Sequence, residues 1–463
     1  MAIANKLNKP LWVHGFMDDR EIKTKRRASF VLDGFREFQA KCMSRNIRFT
    51  FSMSYSKNRK PHHLSLTYRA CVVVTDEAFV KPHLDTMNSI SKASPCLTIA
   101  VDTSCILPVY LVKKSCISRA YKFQAATGDK RKKRASVMYP KLPVLQNSFE
   151  SLCPEPFLDL SKTDNEELLT RLELSDVSII SHTIGGEMNA KMRWQEFLSN
   201  GIKHYHKKRN NPLAPYGVSR MSAYLNLGMI SPFTMANDVM KLTGGGVEKF
   251  IDEFFKWREM SYAVCFHNPH YMNIRRMLPS WAYATLSQHL QDPRPNFTLK
   301  ELEQSQTDSR LWNICQQSLT KNGELHNNLR MTWGKNLILW RIDGNASVQH
   351  FYNTLIYLND TYALDGTAPP SYLGILWCLG FGDSKKSPER QCFGTVRYRT
   401  AKSVQRRYDL NKLQRLVDTF NVKKKRKTKS IFEMFSSSQR NVGGADAVNS
   451  SGRLTTKKRK MAM

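Results

Sequence analysis

The hydrophobic pattern of this chain changes period once, and that change restricts the fold to two unlike halves. Up to Val112 the apolar residues come mostly in short runs: Pro10 to Phe16, the alternating Ile47, Phe49, Phe51 and Met53, then CVVVT at 71–75, LTIAV at 97–101 and LPVYLV at 107–112. Such runs are strand patterns. Between them Val31, Phe35, Phe38 and Cys42 recur at helical spacing, and the segment from 76 to 96 is long enough for a crossover helix. Residues 1–120 therefore read as an α/β domain built on a parallel sheet. From Asn165 the period is helical, first in NEELLTRLELS and then in MRWQEFLSNGIKHYHKKRN, where Trp194, Phe197 and Ile202 stand beside a basic end. Residues 164–420 read as an all-α domain. The intervening 121–163 reads as an interdomain linker, because Lys122 to Val144 is basic, contains Gly and Pro, and lacks periodicity.

Charge narrows the partner. The 463 residues carry 71 Lys+Arg against 39 Asp+Glu, a formal charge of +32, and a polyanion that neutralises such self-repulsion is expected. Nucleic acid suits better than membrane. No apolar run approaches the roughly 20 residues of a membrane span, and no signal-peptide core stands at the start. Ten cysteines without a C-x-x-C pair indicate neither zinc nor an iron–sulfur cluster, and fit reduced thiols in a cytosolic or nuclear compartment. A G-x-G-x-x-G phosphate loop is absent from the α/β half.

The chemistry concentrates between Gly323 and Tyr398. Trp333 and Trp340 in GELHNNLRMTWGKNLILW are two helical turns apart, roughly 10 Å along one face. Rings so placed can pass an electron in short hops, and they can equally be core aromatics. Upstream, Ser219 and Ser222 in VSRMSAYLNLG precede or open a helix, where unpaired amides favour an anion, although serines there also serve as plain caps. Phe250, Phe254, Trp257 and Ser261 share one helical face, with Glu253 four residues before Trp257.

These motifs, in order, resemble class II cyclobutane pyrimidine dimer photolyases of the photolyase/cryptochrome family. The resemblance is carried by PLAPYGVSRMSAYLNLGMISP, WREMSYAVCFHNPHY, H-x-x-x-R-M-x-W-x-K-x-x-x-x-W, IYLND-x-Y-x-LDG, Y-x-G-x-x-W and FG-x-x-RY, and it spans about residues 10 to 400. It implies an antenna-type α/β domain and a helical FAD-binding domain, with a second, antenna chromophore of unspecified identity. Tyr205, Ser219, Arg220, Met221 and Ser222 would hold the flavin phosphates. Arg330 and Asp365 would form a salt bridge near the flavin ring, with Asn359 beside its N5. Trp333, Trp312 and Trp340 would be the electron-transfer triad, with Trp333 nearest the flavin, Trp312 intermediate and Trp340 at the surface.

On the DNA side the resemblance implies that Glu253 hydrogen-bonds a flipped lesion, that Trp257 and Trp377 pack on it, and that Arg397 and Arg209 contact DNA. Several places depart from the family pattern: Thr332 stands where the family has Tyr before Trp333, and Leu325 to Leu329 replace M-H-G-F-M. Tyr262 replaces an acidic residue of the lesion rim, and DSKKS from Asp383 to Ser387 replaces H-D-Q-G-W. The family's α/β domain also carries a strand and helix ahead of the position of Met1. Residues 421–463 read as a disordered basic tail with KKKRK and KKRK clusters for nuclear import, and Ile431, Met434 and Phe435 at the spacing of a sliding-clamp-binding peptide. The expectation is a nuclear, monomeric, light-dependent lyase that repairs damaged double-stranded DNA. A cryptochrome-like photosensor without repair and a nuclear DNA-binding protein that has lost flavin chemistry are the alternatives.

Overall fold

Strand β1 (Trp12–Asp18) pairs in parallel with β2 (Arg48–Ser54), and helix α1 (Lys25–Met43) makes the crossover between them. In this computed structural model residues 1–57, 59–137, 141–149 and 156–419 are described. Thr24 starts α1 by accepting a hydrogen bond from the Arg27 amide, which satisfies one of the free donors of the first turn. Gly15 lets α1 approach the sheet, since a Cβ there would come within 2.7 Å of the Phe35 ring. Strand β3 (Val72–Asp76) pairs in parallel with β4 (Leu97–Val101) around helix α2 (His83–Ala93). The expected parallel α/β region is thus present, as two separate two-stranded sheets. Phe38, placed on the buried stripe by its spacing, is exposed and meets Phe49 edge-on.

Two local expectations fail for physical reasons. LPVYLV is not a strand but contains a 3-10 turn at Val109–Leu111. Its amides are already committed: Ile106 and Leu107 donate to Glu259, and Val109 donates to Asp102, which leaves no free row for a ladder. Lys122 to Val144 is not a loop throughout, because Ala120–Ala135 form helix α3. Its buried side includes Phe123, Thr127, Arg131 and Ala135, four residues at steps of four. Only two of them are apolar, so a search for hydrophobic periodicity passes over the stripe.

The second half is all-helical apart from a short parallel pair, β5 (Asn296–Phe297) and β6 (Arg341–Ile342). Helices α4 (Glu187–Asn200) and α5 (Ser222–Asn226) lead to α6 (Gly245–Ile251), which widens into a π-helical stretch at Asp252–Arg258 and resumes as α7 (Glu259–His267). Then follow α8 (Arg310–Asn322), α9 (Asn327–Asn336), α10 (Val348–Tyr362) and α11 (Pro369–Cys378). Ser309 and Ser347 cap α8 and α10, and Gly323 stops α8 with a left-handed φ of +64°, a conformation that glycine adopts without steric cost.

Arg26 of α1 ties the halves together. Its guanidinium donates to the carbonyls of Ser178, Leu319, Thr320 and Tyr362, so it serves the last turns of α8 and α10, where helix geometry leaves carbonyls short of partners. No helix among the described residues is long and apolar enough to cross a membrane. The tail, with KKKRK, Ile431, Met434, Phe435 and KKRK, lies outside the described residues.

Candidate functional site

A cleft of about 210 Å³ in the helical half brings together residues distant in sequence: Ser219, Ser222, Asn226, Glu253, Tyr262 and Asp365 line it. Ser222 is the first residue of α5 and Ser219 lies in the turn before it. Met221 also lines the cleft, buried. Arg220 is used elsewhere. In a left-handed conformation (φ +56°), it makes a two-pronged contact with Glu324, Nε to Oε2 at 2.6 Å and Nη2 to Oε1 at 2.8 Å. Burial would raise the Glu324 pKa, but the Arg220 charge and its hydrogen bonds, helped by Arg193, outweigh that and bring it down to about 2. Tyr205 packs edge-on against Phe197 and Phe250, with the Arg209 guanidinium 5.8 Å from its ring centre, and it lies off the cleft wall. Burial pushes its pKa up.

A second polar group closes on Asp365. Arg330 on α9 donates from Nη2 to both Asp365 oxygens at 2.9 and 3.2 Å, and from Nη1 to Asn359 Oδ1 at 2.7 Å. Asn359 in turn donates to Asp360 Oδ1 at 2.9 Å, while the Tyr372 hydroxyl donates to Asp360 Oδ2 at 2.6 Å. Asp360 is a member of this network that the motifs do not single out, although it directly follows Asn359.

Arg27 is another. It reaches in from α1, donates to Gly366 O at 2.6 Å, and keeps Nε and Nη2 without a hydrogen-bond partner among the described residues. Burial lowers its pKa against the nearby charge of Asp360. The basic run from Arg20 to Arg27 is its only sequence trace, and such a run gives no sign that one member turns inward.

The three tryptophans form one stack. Trp312 lies nearly parallel to Trp333 at 6.4 Å between ring centres and edge-on to Trp340 at 5.1 Å, so Trp312 is the middle member. Its indole N–H donates to the Trp333 carbonyl at 3.0 Å, and the Trp333 indole donates to Gln316 at 3.0 Å. The spacing-based placement of Trp333 and Trp340 on one helical face is incorrect. Helix α9 ends at Asn336, a 3-10 turn comes next, and Trp340 is extended. Nor is Trp340 a surface residue: at 2% exposure it is covered by Phe297, which stands edge-on at 5.1 Å.

On the opposite side the π-helical stretch presents Glu253 and Trp257. Phe250, Phe254 and Ser261 are buried as their shared face predicts, whereas Trp257 is only half-buried and meets Trp377 edge-on at 5.2 Å. The wider π turn inserts a residue into the helical repeat and rotates Trp257 out of the core face. Glu253 is held by Arg209 at 2.7 Å and Lys249 at 2.8 Å, so Arg209, expected to contact DNA, is engaged with Glu253. Arg397 is more than half exposed and stands 3.4 Å from Asp383. The divergent Asp383 segment is anchored by Arg119, which donates to the carbonyls of Gly382 and Asp383. Tyr262 is no exposed rim residue. It is buried edge-on to Phe79 at 5.0 Å, beneath the cleft it helps to line.

No family model matches the chain. It is 29% identical over 415 residues to the deoxyribodipyrimidine photo-lyase of Methanothermobacter thermautotrophicus, across 88% of this chain and 87% of that one. Over most of its length the chain is similar to such photo-lyases, which lie in the photolyase/cryptochrome superfamily. Solved structures of the superfamily share the fold at low identity. A Synechocystis cryptochrome matches with a TM-score of 0.68 at 14% identity, covering 91% of this chain and 87% of that one. An archaeal photolyase from Sulfolobus tokodaii, solved with two FAD molecules, matches with a TM-score of 0.59 at 13% identity, covering 82% of this chain and 78% of that one. The small parallel sheets followed by a large helical region are the architecture of the superfamily.

Proposed function

We propose that the protein is a light-dependent photolyase that binds FAD in the cleft and restores cyclobutane pyrimidine dimers in damaged double-stranded DNA. The donor set suits a flavin dinucleotide: two serine hydroxyls at the start of α5 for a diphosphate, and a guanidinium, an amide and a carboxylate grouped at Arg330, Asn359 and Asp365 for the ring. At about 210 Å³ the cleft is below the roughly 300–1,000 Å³ of pockets for whole organic ligands, so part of the dinucleotide would lie outside it. Held by these residues and fully reduced, FAD would supply the excited-state electron for opening the dimer ring and would take it back after the split.

The chain's own residues carry the rest. Arg330 holds positive charge beside the ring and is itself restrained by Asp365 and Asn359, so no reorganisation is needed when negative charge develops there. Trp333, Trp312 and Trp340 relay electrons inward to restore the reduced state, and Gln316 fixes the Trp333 ring. Glu253 offers carboxylate oxygens to the edges of the flipped bases, while Trp257 and Trp377 give the unstacked pair an aromatic surface. Arg397 faces solvent, where it can meet phosphate.

The observation that carries this reading is the convergence of Ser219, Ser222, Glu253 and Asp365 on one cleft, which supports a site where residues proposed for the flavin and a residue proposed for the lesion share walls. The deciding experiment is blue-light repair of a dimer-containing oligonucleotide by the flavin-loaded, chemically reduced protein. Restored pyrimidines are expected. Flavin bound one-to-one with no dimer restored would favour a photosensor, and failure to bind FAD on reconstitution would remove both readings.

A further inference from the structure

The π-helical stretch at Asp252–Arg258 needs an external support, and the structure supplies one from the other half of the chain. In an α-helix the Glu259 amide would donate to the Phe255 carbonyl, four residues back. Here it donates to Lys256 O. Phe255 is buried, and a buried carbonyl deprived of its helical partner must find another. Arg131 of α3 provides it, donating from Nη1 to Phe255 O.

Arg131 is built for that task. It is 1% exposed, its Nη2 donates to Gln124 Oε1 at 2.8 Å, its Nε points to Thr127 O at 3.4 Å, and the Phe123 ring lies 4.8 Å from its guanidinium carbon. One helix thus fixes the guanidinium and directs one N–H across to another. The flanks of the π turn are tied to the same part of the α/β half. Arg258 donates to Ser104 O at 2.7 Å, Glu259 accepts from the Ile106 amide at 2.6 Å, and Arg134 donates to Ile106 O at 2.7 Å. Glu259, adjacent to Arg131, is pushed up to about 7 by burial against the pull of that charge.

The π geometry has a consequence at the cleft. One extra residue in a turn rotates the downstream side chains by about 100°, which accounts for Trp257 leaving the buried face of Phe250 and Phe254 and meeting Trp377. We propose that Arg131 is a positioning residue: by holding the Phe255 carbonyl it keeps Asp252–Arg258 in π geometry, aims Trp257 at Trp377 and Glu253 at the cleft, and so sets the preference for damaged over undamaged DNA. The preference for damage rests on the proposed repair function; the geometric part does not.

The test uses the full-length, FAD-reconstituted protein as wild type, Arg131→Met, Arg131→Lys, Trp257→Ala and the Arg131→Met/Trp257→Ala double variant. Amide hydrogen exchange over 252–260 and the ratio of affinities for dimer-containing and undamaged duplex are measured for each. Arg131→Met is expected to speed exchange in that segment and to cut the affinity ratio about 5- to 150-fold, the range for a buried acceptor left unpaired, while flavin content and affinity for undamaged DNA hold. Arg131→Lys, which keeps a donor and the charge, should recover part of both effects. In the Trp257→Ala background Arg131→Met should add little, because the two act through one side chain.

Unchanged exchange over 252–260, or a full additive loss in the double variant, would overturn the proposal. Should Arg131→Met not fold, Gln124→Leu loosens the same guanidinium without removing it, and the same two readouts must move in the same direction for the proposal to stand. A wild type that shows no preference for damaged DNA would defeat the repair reading, and the exchange measurement would still decide whether Arg131 holds the π turn.

Discussion

Two groups of candidate residues, an inner one that reaches the cleft through Asp365 and an outer one that reaches it through Glu253, are built on opposite principles. On the inner side, Arg330, Asn359, Asp365 and the three tryptophans are largely withdrawn from solvent and each has a polar or aromatic partner at a defined distance. On the outer side, Trp257 and Trp377 are half-buried and meet at a single edge-on contact, and Arg397 is more than half exposed. Under the proposed function the inner side would hold charge and relay electrons, and would gain from rigidity, because every displaced buried charge is costly. The outer side would admit a pair of flipped bases, and would gain from keeping its rings open. The inner side should therefore fail abruptly when altered, and the outer side by degrees.

The largest effect expected is in the tryptophan stack, at its middle member Trp312 or its neighbour Trp333. Trp312→Phe or Trp333→Phe should abolish photoreduction of oxidised flavin while FAD content is kept, and repair by chemically reduced protein should persist. Equal photoreduction in variant and wild type, monitored by absorption under blue light, would mean that the stack is packing alone.

Next comes Asp365→Asn, which leaves Arg330 without its counter-charge. The expected loss is about 3–5 kcal/mol of stability, the cost of breaking a buried pair from one side, read by denaturant unfolding. A loss under about 1 kcal/mol would place the pair in the solvent-screened class of surface salt bridges and weaken the contrast between the walls.

Acid should act through Glu324, whose folded-state pKa of about 2 lies below the ordinary glutamate value of 4.5. A depressed carboxylate stabilises the fold above its unfolded pKa, and that contribution disappears as pH falls from about 4.5 toward 2, at most about 3 kcal/mol. Glu324→Gln should flatten stability across that window, and an unchanged acid limb would discount the Arg220 pairing.

On the outer side Trp257→Ala should weaken the preference for damaged DNA about 5- to 150-fold, from the roughly 1–3 kcal/mol of one stacking aromatic, with binding to undamaged duplex little altered. The smallest effect should be that of Arg397→Ala, which reduces the slope of log affinity against log salt by about one on both DNAs. A change on damaged DNA alone would recast Arg397 as a lesion contact.

Much of the inner wall was legible in the sequence because its motifs are local and chemically distinctive. Arg330, Asn359 and Asp365 lie within 36 residues of one another, and Trp312, Trp333 and Trp340 are among only eight tryptophans, so each invites a role. Misreadings arose where a polar residue takes a core position. Arg131 in the stripe of α3 made a helix look like a linker. The resemblance implied that Trp340 lies at the surface, and no local pattern tells of Phe297, which arrives from a strand 43 residues earlier.

The amino-acid sequence by itself determined the division into a parallel α/β half and a helical half, since periods of two and 3.6 residues bury different faces, and its charge of +32 set the expectation of a polyanionic partner. It also carried the order of the motifs. Only the tertiary structure decided which residues meet: that Glu253 is held by Arg209 and Lys249, that Arg220 belongs to Glu324, that Tyr262 is core, and that a π turn sets Trp257 against Trp377. Pairing and π geometry depend on partners brought from far along the chain, as the Arg131 contact with Phe255 shows, and no local pattern encodes which distant group will satisfy a buried carbonyl or charge.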